Sequence, residues 1–193
     1  MGNREDLLAG ARRCLFDKGY DRTTAHDISA ASGGVDPAEI GLHFGSKAAL
    51  LSEALIASTQ EWGAKLSSTL ANAPVGDPTP LRRFEAAWTA VVDAVAADRG
   101  LWAANFDALS QAGALLDVRE RLAANTRQTR TGLAGLFEDV DANDAETSRV
   151  VGSFYQALLT GVAAQCLIDP DNAPTGADLA AAIRRIAGTA DPQ

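Results

Sequence analysis

Cysteine is nearly absent: Cys14 and Cys166 stand far apart, and neither has a second cysteine nearby. That excludes a disulfide framework and a cysteine-ligated metal finger, and it suits reduced, packed thiols. Histidine is equally scarce, with only His26 and His43. Neither has a Glu three residues before it, so the Glu-x-x-His pairs of a di-iron bundle are missing. No His/Cys cluster has zinc spacing, no glycine loop fits a nucleotide phosphate, and no Ser or Cys sits near a histidine in a nucleophile motif. These gaps point away from catalysis and predict a protein without metal or cofactor. Long apolar runs are lacking too. The stretch 157–168 falls short of the about 20 residues a bilayer requires, and residues 1–6 lack the basic-then-apolar pattern of a secretory signal. A cytoplasmic chain with no membrane partner is expected.

Aromatics make up only 6% of the chain although 47% of it is hydrophobic, so alanine and leucine do much of the filling. Strand-like alternation and internal repeats are absent, and an Ala-rich chain with few β-branched runs predicts an all-α fold. Basic surplus is missing as well: the net charge is −8 over 193 residues. Residues 1–50 hold six Lys/Arg against seven Asp/Glu, leaving −1 there and −7 beyond. The acidity therefore belongs to the larger C-terminal part.

What is present is helix punctuation. A first helix is predicted from about Arg4 to Lys18, capped by Asn3, with Leu7, Leu8, Ala11 and Leu15 as its apolar stripe and Gly19 as its stop. Thr24-Ala25-His26-Asp27 reads as a capping-box variant opening a short second helix that Gly33-Gly34 ends. Asp36-Pro37-Ala38-Glu39 opens a third, with Asp36 as cap and Pro37 at the first helical position, running to Phe44-Gly45. Ser46 caps a long fourth helix from Lys47 to about Leu70. Each cap contributes about 1 kcal/mol, which matters for helices too short to persist alone. Residues 72–78 form the clearest linker. Helices at about 79–97, 101–111, 115–137, 145–168 and 176–188 follow, with breaks at 98–100, 112–113, 139–143 and 169–174. The total is about nine helices.

A short helix, a glycine turn and a second short helix, braced by a first, is helix-turn-helix geometry. Leu8, Leu15, Ile28, Ala31, Val35, Ile40 and Phe44 read as its small core. Leu7-Leu8, Ala11, Gly19-Tyr20, Thr23-Thr24, Asp27-Ile28, Ala31, Gly34-Val35, Phe44 and Ser46-Lys47 fall in an order that resembles the DNA-binding domain of the TetR family, over roughly residues 4–55. A weaker resemblance to C-terminal domains of that family runs from Leu158 through Gly161, Gln165 and Asp169-Pro170 to Ile186. The resemblance implies a helix-turn-helix domain over 1–50 and a helical dimerisation and effector-binding domain over 51–193. It implies phosphate contacts from Thr24, His43 and Lys47, with Arg22 and Thr23 able to assist, and a DNA-facing recognition segment of Pro37, Ala38, Glu39, Gly41, Leu42 and His43. Glu39 is expected to cap its own helix.

The segment departs from the family pattern. Gly41 stands where the family usually places a tyrosine, the turn at Ser32-Gly33-Gly34 carries one extra residue, and the segment has no Arg, Lys, Asn or Gln. Further along, the resemblance implies dimerisation through the last two long helices, with Gly152, Ala157, Gly161, Ala163 and Ala164 allowing close approach. It also implies an effector site in the middle helices, where Trp62, Trp88, Trp102, Asn105, Phe106 and Phe154 are candidate lining residues. Phe84, Tyr155, Gln111, Gln156 and Gln165 lie in the same helices. The expected function is a regulator, in the family's usual mode a repressor, bound to a palindromic duplex as a homodimer and released by a small apolar or aromatic effector. The alternative is a dimer of the same fold that binds a ligand or serves as a scaffold, with weak or lost operator binding.

Overall fold

The computed structural model describes residues 2–72, 79–111 and 116–188. The linker expected over 72–78 lies, Asn72 apart, outside the described residues, as does the break at Ala112-Gly113. Among the described residues the fold is nine α-helices without a strand: α1 Asn3–Lys18, α2 Ala25–Ala31, α3 Ala38–Phe44, α4 Lys47–Ala71, α5 Pro80–Ala97, α6 Arg99–Gln111, α7 Leu116–Glu138, α8 Ala145–Ile168 and α9 Gly176–Gly188. They assort into two compact units, Met1–Trp62 with Arg99–Gln128 and Gly63–Asp98 with Thr129–Gln193.

In the first unit, Leu7, Ala11 and Leu15 of α1, Ile28 of α2, Ile40 of α3 and Leu50, Leu51 and Leu55 of α4 are buried as one apolar set. Leu8, Ala31, Val35 and Phe44, expected in that core, are half-buried. Gly10 lets α1 press onto the end of α2, because a Cβ there would collide with Ser32 and the Ile28 carbonyl. Tyr20 is the unit's knot. Its N–H donates to Asp107 of α6 at 3.3 Å, and its hydroxyl donates to the Ala48 carbonyl at 3.1 Å and lies 3.2 Å from Ser52 Oγ. Two local readings are corrected here. Gly2, not Asn3, precedes α1, and Asn3 is its first residue. Arg99 and Gly100, expected in a break, are helical and open α6, which packs against α1.

In the second unit, α5 is held against α8 and α9. A Cβ at Gly176 would run into the Glu85 carbonyl, so α9 starts flush on α5. Likewise Gly152 of α8 meets the backbone of Arg130 in α7. Between these helices Trp88 stacks on Phe137 at 5.6 Å, Phe137 on Tyr155 at 4.6 Å, and Phe84 lies 5.9 Å from Trp88. Burial, then the bond to Glu138, pushes the Tyr155 phenol far above its ordinary range. Asp144 caps α8 by accepting from Thr147 N–H at 3.0 Å. Thr175 and Asp178 exchange bonds at the start of α9 as Thr24 and Asp27 do at α2.

Both cysteines are buried, and desolvation followed by the nearby Asp27 charge raises the Cys14 thiol above its usual range. One helix, α8, is long and apolar enough by length and composition alone to cross a bilayer, a test that buried core helices also pass. Seven of its residues, from Ser148 to Cys166, are buried in the protein.

Candidate nucleic-acid interface

The turn and caps that build this surface follow from the sequence. Thr24 Oγ1 accepts from Asp27 N–H at 3.1 Å while Asp27 accepts from Thr24 N–H at 2.9 Å, a reciprocal box that opens α2. Gly33 and Gly34 both adopt positive φ, 78° and 88°, a conformation that lets the chain reverse between α2 and α3 within a few residues. Asp36 Oδ1 accepts from Ala38 N–H at 2.8 Å, and Ser46 Oγ accepts from Ala49 N–H at 3.0 Å at the head of α4.

α3 begins at Ala38, one residue later than expected, with Pro37 just before it. Asp36 caps through Ala38 N–H and Pro37 already has helical angles, as expected, but Glu39 does not complete a capping box. It lies instead 3.1 Å from His43 Nε2, one turn on. The helix turns Ile40 inward, at 3% exposure, and Ala38, Gly41, Leu42 and His43 outward. Pro37 is exposed beside them.

The basic residues divide into two sets. Arg4, Arg12 and Lys18 are neutralised by Glu53, Glu61 and Asp27 at 2.5, 2.6 and 2.5 Å. The Lys18 contact, with the Thr24 bonds, holds the Asp27 carboxyl well below the ordinary carboxylate range. Arg13, Arg22 and Lys47 rest on backbone carbonyls: Arg13 on Ala31, Arg22 on Lys18 at 2.7 Å, and Lys47 on Thr23 at 2.7 Å. A carbonyl accepts one hydrogen bond without cancelling the charge, so these cations keep their field and their remaining donors. Around Thr23, Thr24 and the ends of α2, these three cations therefore rest on carbonyls and not on carboxylates.

The expected site residues are met unequally. Arg22 and Thr24 are exposed, and Lys47 is half-buried with its ammonium tied to Thr23, the residue next to Thr24. Thr23 is fully buried, its hydroxyl donating to the Gly19 carbonyl at 2.7 Å, so it positions the turn and does not face solvent. Asp107 was not singled out in the sequence. It binds Tyr20 across 87 residues, a separation that leaves no local signal.

Residues 7–54 match the profile of the family described as bacterial regulatory proteins, tetR family. The helix-turn-helix segment is therefore similar to the DNA-binding domain of that family. Solved structures extend the likeness to the whole fold. A transcriptional regulator from Rhodococcus sp. Rha1 aligns over 100% of both chains at 19% identity with TM-score 0.66. A protein from Mesorhizobium loti, described as of the TetR family, aligns over 97% of this chain and 96% of its own at 13% identity with TM-score 0.69. The multidrug binding protein EbrR, complexed with imidazole, aligns over 96% and 95% at 18% identity with TM-score 0.66. The comparison with curated proteins gave no match. The fold is that of tetR-type transcriptional regulators, with the helix-turn-helix at the N-terminus.

The candidate effector residues fall in two groups. In the first unit Trp62 and Trp102 meet edge to face at 5.1 Å, and the Asn105 amide donates to the Leu101 carbonyl at 2.9 Å and reaches Thr59 Oγ1 at 3.4 Å. Phe106, on the same helix, is half-buried. In the second unit Trp88 belongs to the aromatic stack and Phe154 is 49% exposed, edge-on to Tyr155. The indole N–H groups of Trp88 and Trp102 are buried without an acceptor among the described residues. Among those residues no group of three or more His, Cys, Asp or Glu could hold a metal.

Proposed function

We propose that the chain is a ligand-responsive DNA-binding transcriptional regulator, a repressor that binds a palindromic operator as a homodimer and is released by a small apolar or aromatic effector. It is read as a cytoplasmic protein without catalytic activity, divided into a DNA-binding domain over 1–50 and a dimerisation and effector domain over 51–193. The observation that carries this reading is the pairing of an outward α3 face with carbonyl-bound cations at Arg22 and Lys47. Such cations supply sequence-independent affinity for phosphates, with the Thr24 hydroxyl as a further phosphate partner.

Dimerisation is supported by an exposed stripe on α8, where Val150, Phe154, Ala157, Gln165 and Ile168 follow helical spacing. A two-fold pair would set two α3 helices against half-sites about 34–36 Å apart. The effector reading is supported by the orphaned indole donors of Trp88 and Trp102, since buried N–H groups ordinarily find partners. A ligand with aromatic surface and one hydrogen-bond acceptor suits such a donor.

Retention of a duplex from the gene's own upstream region, measured at two salt concentrations, tests the reading. A regulator binds with nanomolar affinity and weakens steeply as salt rises. Lys47→Ala weakens binding to all sequences alike and lowers the salt slope by about 1 per lost contact. The rival reading, a ligand-binding or scaffold dimer of the same fold, draws on Gly41 and on the Glu39–His43 pair, which leave α3 poor in hydrogen-bonding groups. It predicts little retention at either salt.

A further inference from the structure

We propose that the protein reads its operator through thymine methyl groups packed against the outward face of α3, with Leu42 as the residue that sets specificity. This rests on the DNA-binding reading above. A helix turns about 100° per residue, so Ala38, Gly41 and Leu42 share one face, opposite the buried Ile40. All three are exposed, and Leu42 stands 77% open to solvent in the middle of a seven-residue helix. A leucine so placed contributes almost nothing to the domain's own core.

No side chain on that face donates or accepts a hydrogen bond, which removes readout of the purine N7 and O6 and of the exocyclic amino groups. The two polar side chains of the helix, Glu39 and His43, lie to one side and engage each other at 3.1 Å. One base-edge feature of the major groove is apolar, the C5 methyl of thymine, and an apolar side chain is its natural complement. Gly41 sharpens the approach. Nothing lies within 4 Å of where its Cβ would stand, so the helix presents a shallow notch beside Leu42 rather than a bulky neighbour. The occupant is specified by charge as well as shape: the carbonyl-bound cations Arg22 and Lys47 call for a polyanion.

The test enriches duplexes from a random-sequence library with the full-length protein, then remakes the enriched duplex with deoxyuridine for thymidine, one position at a time. Deoxyuridine keeps every hydrogen-bonding group and removes only the methyl. Binding is expected to fall about fourfold for each packed methyl lost, the value of one apolar carbon returned to water, and more when both half-sites are changed. Leu42→Ala should lose the sensitivity at the base it faces, while melting temperature and salt slope stay unchanged. Enriched half-sites without thymine, equal binding of the deoxyuridine duplex, or undiminished sensitivity in Leu42→Ala would each overturn the methyl reading. Failure to enrich any duplex overturns DNA binding itself, so the two failures are distinct.

Discussion

The helix-turn-helix and the second unit are held by different chemistry. In the first, α2 and α3 have seven residues each, and their position depends on side-chain bonds to backbone: Thr24 with Asp27, Asp36 with Ala38, Lys47 with Thr23. In the second, longer helices close on a stack of Phe84, Trp88, Phe137 and Tyr155. Short helices cannot bury enough apolar area to fix themselves, so polar caps set their geometry. Long helices can, and their caps are supplementary.

The largest expected effect breaks the second unit. Trp88 is fully buried, so Trp88→Ala should cost about 3–5 kcal/mol, read as a fall in the denaturant midpoint. A smaller loss, about 1 kcal/mol, is expected for Thr24→Ala, which removes one half of the α2 box. Amide exchange should localise that loss to α2, with the protection of α5 and α8 unchanged; loss spread evenly over both units would erase the contrast drawn here. Gly41→Ala should act in the opposite sense. Its Cβ enters open space in a helical position, and thermal unfolding should show a gain of up to about 1 kcal/mol.

Acid gives the subtlest test. Asp27, Asp144 and Asp178 are all held below their ordinary range by the hydrogen bonds of their caps, with Lys18 the leading cause at Asp27. A depressed carboxylate stabilises the fold above its unfolded pKa of about 3.9, and that stability drains as pH falls below it. Asp27 is the most strongly held of the three, so as pH falls the caps of α8 and α9 should protonate before that of α2. Loss of amide protection at the start of α2 before the start of α8 would contradict this.

Much of the fold was legible because its boundaries are written locally. The limits of α8 and α9 match the helices expected at 145–168 and 176–188. The capping box at Thr24 needs only four consecutive residues. What sequence reasoning missed depends on tertiary contact or on a choice between partners. Gly100 reads as a break, yet α6 includes it and packs against α1. Glu39 lies three residues after Asp36 and four before His43, and sequence alone did not choose between those partners; the structure pairs it with His43. At the surface, the tally of charges hid the sorting of cations between carboxylates and carbonyls. Thr23, adjacent to Thr24 and chemically identical, is buried where its neighbour is exposed.

Tyr20 carries two attachments that differ in how visible they are to mutation. Its phenol oxygen, shared with Ala48 and Ser52, disappears with a change to phenylalanine. Its grip on Asp107 runs through the main-chain amide, which every residue except proline retains. A Tyr20→Phe variant would therefore report only the phenol and leave the link to α6 unregistered, and that link becomes apparent only from the Asp107 side.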